Sequence, residues 1–345
     1  MEEIQKILAE IKPYIDKEVI SLLEKTQPEI LKKAAFEYFA RGGKRFRPAL
    51  TALSCEALGG IWQDTIPAGA AIEIMHAFAL IHDDIEDYSE IRRGKPALHI
   101  QYGLPHAINA GDYLHMKIFE ALLRGQKAWG NEKLFSVLEQ FVELLIITAQ
   151  GQAMEIEMRD KPLEEATMEW YEKMAVAKTG YYSGGGPCAI GATIAGGTRE
   201  QIAALKKFGI AIGVAFQIQD DVLNLTMSES EEKLTPETGG GGVGKDFAGD
   251  LEEGKRTLIL IHCLQKCSGH EKEKFRVLIG KKGLKTEQKK ELIAIIQSTK
   301  SIEFAKEYAR EMLQNALLQL KEKIPETEGR KKLEATAQFL IERKY

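Results

Sequence analysis

"LFSVLEQFVELLIIT", residues 134 to 148, can be tested against strand and helix directly. Leu134, Leu138, Phe141, Leu145 and Thr148 recur every three or four residues, with Glu and Gln between them on the other face. That is the stripe of an amphipathic helix, whereas a strand would alternate at every second position. The same spacing runs through nearly the whole chain, and alternating stretches are scarce. Prolines at 13, 28, 48, 67, 105, 162 and 187 fall between periodic runs or at their starts, where a helix tolerates them. The expected fold class is all-α, about a dozen helices with little or no sheet.

The 345 residues could supply two domains at about 150 residues each. No shift in composition and no Pro/Ser-rich linker divides them, so the expectation is a single domain over residues 1–345. With 44% hydrophobic and 28% charged residues the chain can bury a sizeable core. A net charge of -4 argues against a nucleic-acid partner, which asks for a basic excess. Cys55, Cys188, Cys263 and Cys267 form no CxxC pair, so neither a zinc site nor a disulfide framework is indicated. The N-terminal "MEEIQKILAEIKPYIDKEV" has no signal-like apolar segment and no long uncharged apolar run follows. A cytoplasmic protein, not an integral membrane one, is expected.

"TGGGGVGKD", residues 238 to 246, comes within one residue of a phosphate-binding P-loop. Asp246 stands where the hydroxyl residue of that loop belongs. The preceding "SESEEKLTPET" is polar, whereas a P-loop follows a buried strand. The segment reads instead as a glycine-rich surface loop between helices.

Two acidic clusters are more informative. "HAFALIHDDIED", residues 76 to 87, places Asp83 and Asp87 one helical turn apart on one face, with Asp84 beside them. "VAFQIQDDVLN", residues 214 to 224, repeats the design with Asp220, Asp221 and Asn224. Either cluster alone could be a solvated helix end. Two of them, each after a strongly apolar run, point to helices emerging from a core at a shared site. Carboxylate pairs of this kind suit Mg²⁺ held jointly with a substrate's phosphates. "RGGKRFRP" and "IRRGKP" add Lys44, Arg47, Arg92 and Arg93 in glycine-containing turns, with Lys178, Lys245 and Lys255 farther on. Guanidinium forks and ammonium groups are the usual partners of phosphate oxygens.

In this order, "GGKRFRP", "HDDIEDYSEIRRGKP", "GDYL", "QGQAMEIE", "KTGYY", "FQIQDDVLN" and "GKDFAGDLEEGKRT" resemble the trans-isoprenyl diphosphate synthases. The resemblance implies a single all-α bundle around a deep central cavity, usually a homodimer, that condenses an allylic diphosphate with isopentenyl diphosphate. It implies that Asp83, Asp87 and Asp220 hold three Mg²⁺ ions on the allylic diphosphate, with Asp84, Asp221 and Asp250 supporting them. Arg92, Lys178, Lys245 and Lys255 would contact that diphosphate, and Lys44, Arg47, His76 and Arg93 the isopentenyl diphosphate. Thr179 and Gln217 match positions whose oxygens face the allylic cation. Without its place seven residues before Asp83, His76 would read as a core histidine.

The growing tail is expected to run beside the first aspartate helix. Ala79 lies in line below Asp83 and leaves room. By resemblance alone, a bulky Phe78 beside a small Ala79 accompanies a twenty-carbon product, with Met75 a second barrier or a side chain able to move aside. Geranylgeranyl diphosphate is the favoured product; farnesyl and geranylfarnesyl diphosphate stay open. Two departures stand out: Asn224 where many members have Asp, and the four glycines 239–242. Competing functions are a class I terpene cyclase, which has no need of "GGKRFR" and "RRGKP", a non-catalytic regulatory subunit of the same fold, and a nucleotide-binding module.

Overall fold

The computed structural model describes residues 2–226 and 248–342. Residues 134–148 lie in the helix Gln126–Arg159, whose regular part begins after Gly130, a residue at φ 71° that interrupts its first turn. Before it come Glu2–Leu23, Glu29–Ala40, Phe46–Ala57, Ile66–Glu86 and Leu104–Arg124. After it come a continuous helical stretch from Met168 to Ile194, the helix Arg199–Thr226, and a C-terminal group ending with Glu328–Glu342. Among the described residues, strand is confined to one antiparallel ribbon, Ile91–Arg92 against Lys95–Pro96. The fold is all-α.

Two apolar clusters hold these helices together. One gathers Leu50, Ile72, Phe141 and Phe208, the other Tyr171, Val222, Phe275 and Leu292. Burying such a side chain fully is worth about 1.5–3 kcal/mol. The helix Arg199–Thr226 contributes Phe208 and Ile212 to the first and Ile218 and Val222 to the second, so the second aspartate cluster sits on the element that joins them.

Pro13 lies inside the helix Glu2–Leu23 rather than at its start. An interior proline costs about 3 kcal/mol. The seam of Ile7, Ile11, Ile15, Val19 and Leu22, all buried in the first cluster, outweighs it.

Glycines set the closest crossing. A Cβ on Gly184 would stand 1.9 Å from the Gly209 carbonyl oxygen, one on Gly209 2.2 Å from that of Gly184, and one on Gly213 2.8 Å from Gly180 Cα. Two helices therefore meet backbone to backbone. One of them, Val176–Gly185, is widened to π register. Pro187 follows directly and has no N–H for the carbonyl of Ser183 four residues back, which favours the wider turn there.

Trp62–Glu86, Gln126–Arg159 and Arg199–Thr226 are long and apolar enough to cross a membrane by length and composition. The apolar windows of the first and third are 61% and 56% buried inside the protein, that of Gln126–Arg159 only 28%.

Candidate active site

Both acidic clusters stand in the last turns of their helices: Asp83 and Asp84 close Ile66–Glu86, with Asp87 as its C-cap, and Asp220 and Asp221 lie near the end of Arg199–Thr226. A helix C-terminus already carries partial negative charge, so carboxylates there ask for cations. Nor is the first cluster a solvated end, because Asp84 is 0% exposed and Asp87 4%.

Cations are at hand. Lys178 Nζ lies 3.5 Å from Asp83 Oδ1 and Arg92 Nη2 3.7 Å from Asp83 Oδ2. Arg159 Nη2 is 2.5 Å from Asp87 Oδ1, and Lys255 Nζ 3.6 Å from Asp87 Oδ2. Burial and the neighbouring Asp83 charge raise the Asp87 pKa, against the pull of Lys255, Arg159 and Lys178. Glu155, buried on the helix Gln126–Arg159, pairs with Lys178; although burial works to raise its pKa, the Lys178 and Lys255 charges hold it below the usual range. Lys255 also reaches Asp250 Oδ1 at 3.5 Å and Glu253 Oε2 at 2.6 Å.

Asp84 faces inward, away from this group. It accepts from the Tyr38 hydroxyl and from Arg92 Nε at 2.7 Å, while Tyr38 accepts the Leu98 N–H at 3.1 Å. Arg92 therefore arrives at Asp83 from a fixed base. It leaves the ribbon one residue before its turn, where Arg93 and Gly94 both take positive φ, 53° and 71°, as a two-residue hairpin of this twist requires.

A second group of cations forms beside it. Arg47 Nη2 donates to the Tyr182 hydroxyl at 2.7 Å, its Nε and Nη2 to Ser183 Oγ at 3.2 and 3.0 Å, and its guanidinium lies 4.5 Å from the Tyr182 ring centroid. The Tyr182 oxygen is 2.8 Å from His76 Nδ1. Burial, then the charges of Arg47 and Arg93, push the His76 pKa far down, so its ring is neutral and its Nδ1 can accept a hydrogen bond from the Tyr182 O–H. Its own N–H is then on Nε2. Arg93 Nη1 donates to the Tyr38 carbonyl at 3.2 Å and to that of Gly42, which ties the hairpin to the "GGKRFRP" loop. In that loop Lys44 is exposed, while Arg45 turns inward to Asp16 at 2.6 Å and Glu73 at 3.0 Å.

The glycine crossing brings Thr179 against the second aspartate helix. Its hydroxyl donates to Gln217 Oε1 at 3.2 Å, and Gln217 Nε2 donates to Asp221 Oδ1 at 2.7 Å. Asp221 is buried and fixes the amide so that its oxygen faces Thr179. Asp220 stays half-buried on the neighbouring helix position. Asn224 instead fastens the chain that follows: its side-chain oxygen accepts the Asp250 backbone N–H at 3.3 Å and its carbonyl that of Ala248 at 3.2 Å.

Within the first aspartate helix Met75 is buried, and Phe78 and Ala79 are half-buried. Among the described residues no three acidic, His or Cys side chains come close enough to hold a metal by themselves. The donors still suit a hard divalent ion: they are carboxylates, and buried Asp87 Oδ1 receives no aligned hydrogen bond despite its ion pair with Arg159. Two carboxylates leave the remaining positions to phosphate oxygens and water, the arrangement Mg²⁺ favours.

The polyprenyl synthetase profile matches residues 28–296. The chain belongs to the polyprenyl synthetase family. This polyprenyl synthetase is 34% identical over 337 residues to the geranylgeranyl diphosphate synthase of Sulfolobus acidocaldarius, across 97% of this chain and 94% of that protein. Geranylgeranyl pyrophosphate synthetase from Pyrococcus horikoshii shares its fold with a TM-score of 0.89 and 34% identity over 99% of both chains. The geranylgeranyl pyrophosphate synthase of Corynebacterium glutamicum, solved with isoprenyl diphosphate and magnesium, matches with a TM-score of 0.82 and 25% identity over 99% of both chains. The protein is an enzyme, a prenyltransferase.

Five neighbours of the site went unassigned in the sequence. Gln152 donates to Asp83 Oδ1 at 3.3 Å, and Glu155 meets Lys178; both lie in "QGQAMEIE", whose spacing of three was their only signal. Tyr38, Arg159 and Tyr182 reach the site through tertiary packing. Lys245 and the glycines 239–242 of the polyprenyl synthetase lie outside the described residues.

Proposed function

We propose that this polyprenyl synthetase condenses isopentenyl diphosphate with dimethylallyl, geranyl or farnesyl diphosphate and releases geranylgeranyl diphosphate. The observation that carries this is the pairing of two cation groups, one around Asp83 and Asp87 and one around Arg47 and His76, bridged by the "RRG" hairpin. Two diphosphates need two cationic seats.

Asp83, Asp87 and Asp220 would hold Mg²⁺, with Asp250 nearby. A bound divalent ion supplies positive charge against the allylic diphosphate as its C–O bond breaks. Lys178, Lys255 and Arg92 add fixed charge at the same place, and preorganised charge of this kind commonly contributes most to catalysis. Asp84 acts by holding Arg92, and Asp221 by orienting Gln217. The Thr179 and Gln217 oxygens would face the allylic cation, which has to be kept from water. Arg47, Lys44, Arg93 and the His76 Nε2–H bind the second diphosphate. Its double bond attacks the cation, one C–C bond forms, and a proton leaves to the released diphosphate. This machinery is complete enough to argue against a non-catalytic subunit.

The partner we propose is a second copy of the chain. Phe135, Val142 and Ile146 on Gln126–Arg159, with Ile108, Met116 and Leu123 on the adjoining Leu104–Arg124, leave large apolar side chains exposed. Large exposed apolar side chains along two packed helices suit an interaction surface. Sedimentation should give a dimer, and Phe135→Glu with Val142→Glu a monomer.

Incubation with Mg²⁺, labelled isopentenyl diphosphate and each primer, followed by mass spectrometry, tests the reading. A twenty-carbon diphosphate from all three primers supports it. A fifteen- or twenty-five-carbon end product corrects the length, and no elongation refutes the reaction.

A further inference from the structure

Each of the four carboxylate oxygens of Asp83 and Asp87 has a cationic nitrogen beside it, from Lys178, Arg92, Arg159 and Lys255. Lys178, Arg92 and Lys255 belong to the group that faces the allylic diphosphate. Arg159 belongs to no motif. Its backbone is pinned: Arg256 Nη2 donates to the carbonyls of Arg159 at 3.1 Å and Lys161 at 2.9 Å. From that anchored turn its Nη2 reaches Asp87 Oδ1 at 2.5 Å and Glu155 Oε2 at 3.5 Å, and its Nη1 the Glu86 carbonyl at 3.4 Å.

We propose that Arg159 is a built-in competitor of the divalent ion for Asp87, and so sets how strongly the first aspartate cluster binds metal. This rests on the proposed role of Asp87 as a metal ligand. Two features carry it. The guanidinium lies against a carboxylate oxygen that a metal would use, so an ion taking that oxygen must move Arg159 aside or sit beside a like charge. Nor do other partners lock the guanidinium in place through these atoms: Arg159 Nε and Nη2 are buried without an aligned hydrogen bond to any other group. Removing the contact altogether would leave Asp87 buried beside Asp83 with one cation fewer. Arg159 thus serves the fold when no ion is bound and resists an ion that comes without a diphosphate. An incoming diphosphate brings the negative charge that tips the exchange, so metal and substrate enter together.

The test is Mn²⁺ binding to the full chain, read by electron paramagnetic resonance with and without inorganic pyrophosphate. Without pyrophosphate, Arg159→Gln should bind Mn²⁺ about tenfold more tightly than the wild type, since a fixed positive charge beside the ion has gone. Arg159→Lys keeps that charge and should stay near the wild type. With pyrophosphate the difference should shrink. Thermal melting in EDTA should show Arg159→Gln less stable and Mn²⁺ restoring more of its stability than in the wild type. Should Arg159→Gln fail to fold, Arg159→Met fills the same volume and carries the same expectation. Unchanged or weaker Mn²⁺ binding in these neutral variants overturns the proposal alone. Absence of Mn²⁺ binding by the wild type, even with pyrophosphate, overturns it together with the metal reading.

Discussion

Phe78 lies flat against His115 of the neighbouring helix, their ring centroids 4.9 Å apart and their planes 6° from parallel, while His82 meets its edge at 5.0 Å. An aromatic ring braced on two sides does not readily swing aside, which would suit the chain-length stop that the family resemblance proposes for Phe78. Phe78→Ala should shift the product from twenty carbons to twenty-five or more, at a stability cost of about 2 kcal/mol. Product mass spectrometry reads the shift. An unchanged length would move the stop to another residue.

Gly184 and Gly209 cross so closely that a methyl group on either strikes the other's carbonyl. Gly184→Ala should cost about 3 kcal/mol or more, as overpacking does when only backbone could yield. Because the same crossing sets the Thr179–Gln217 contact, activity should fall further than the lost folded fraction explains. Denaturant titration beside a kinetic assay separates the two effects.

How far the sequence could be read follows from where each feature is encoded. The run 134–148 declares its helix because the apolar spacing is local, and both aspartate clusters stand out because their members are one turn apart. The sequence pairs Asp83 with Asp87 one turn on, and the resemblance gives Asp84 a supporting place, but only packing shows Asp84 turned to Tyr38 and Asp83 to Lys178. The resemblance picks Arg47 over Arg45, and the fold supplies the reason: the αL backbone at Arg45, φ 56°, turns it into Asp16 and Glu73 and leaves Arg47 toward Tyr182. The glycine crossing and the π turn depend on a partner helix, and the Arg159–Asp87 pair on chain distant in sequence. Pro13 misleads because local propensity is outweighed by a buried seam.

Arg45 holds the junction between the loop residue Lys44 and the helix Phe46–Ala57, which carries Arg47. Arg45→Met leaves the buried Glu73 without its guanidinium, a loss of about 3–5 kcal/mol for one half of a buried pair. Where the variant still folds, KM for isopentenyl diphosphate should rise more than KM for the allylic primer. Equal changes would mean that the loop serves both seats.

His76 gives a pH signature. Its pKa in the fold lies well below the ordinary 6.5, so the unfolded chain takes up a proton that the fold refuses. This contribution to stability is whole above pH 6.5 and shrinks as pH falls, by about 1.4 kcal/mol per unit until the folded value is reached. His76→Gln should flatten that part of the stability curve below about pH 6.5. A variant with an unaltered slope would contradict the neutral ring.

Metal-assisted ionisation at the first aspartate cluster is decided by incorporation of radiolabelled isopentenyl diphosphate into farnesyl diphosphate, run with Mg²⁺, with excess EDTA, and with Asp83→Ala. A labelled twenty-carbon diphosphate should form, disappear with EDTA, and fall by at least about a thousandfold in Asp83→Ala. Incorporation that survives both would contradict this mechanism, because the charge that breaks the allylic bond would then have to come from elsewhere.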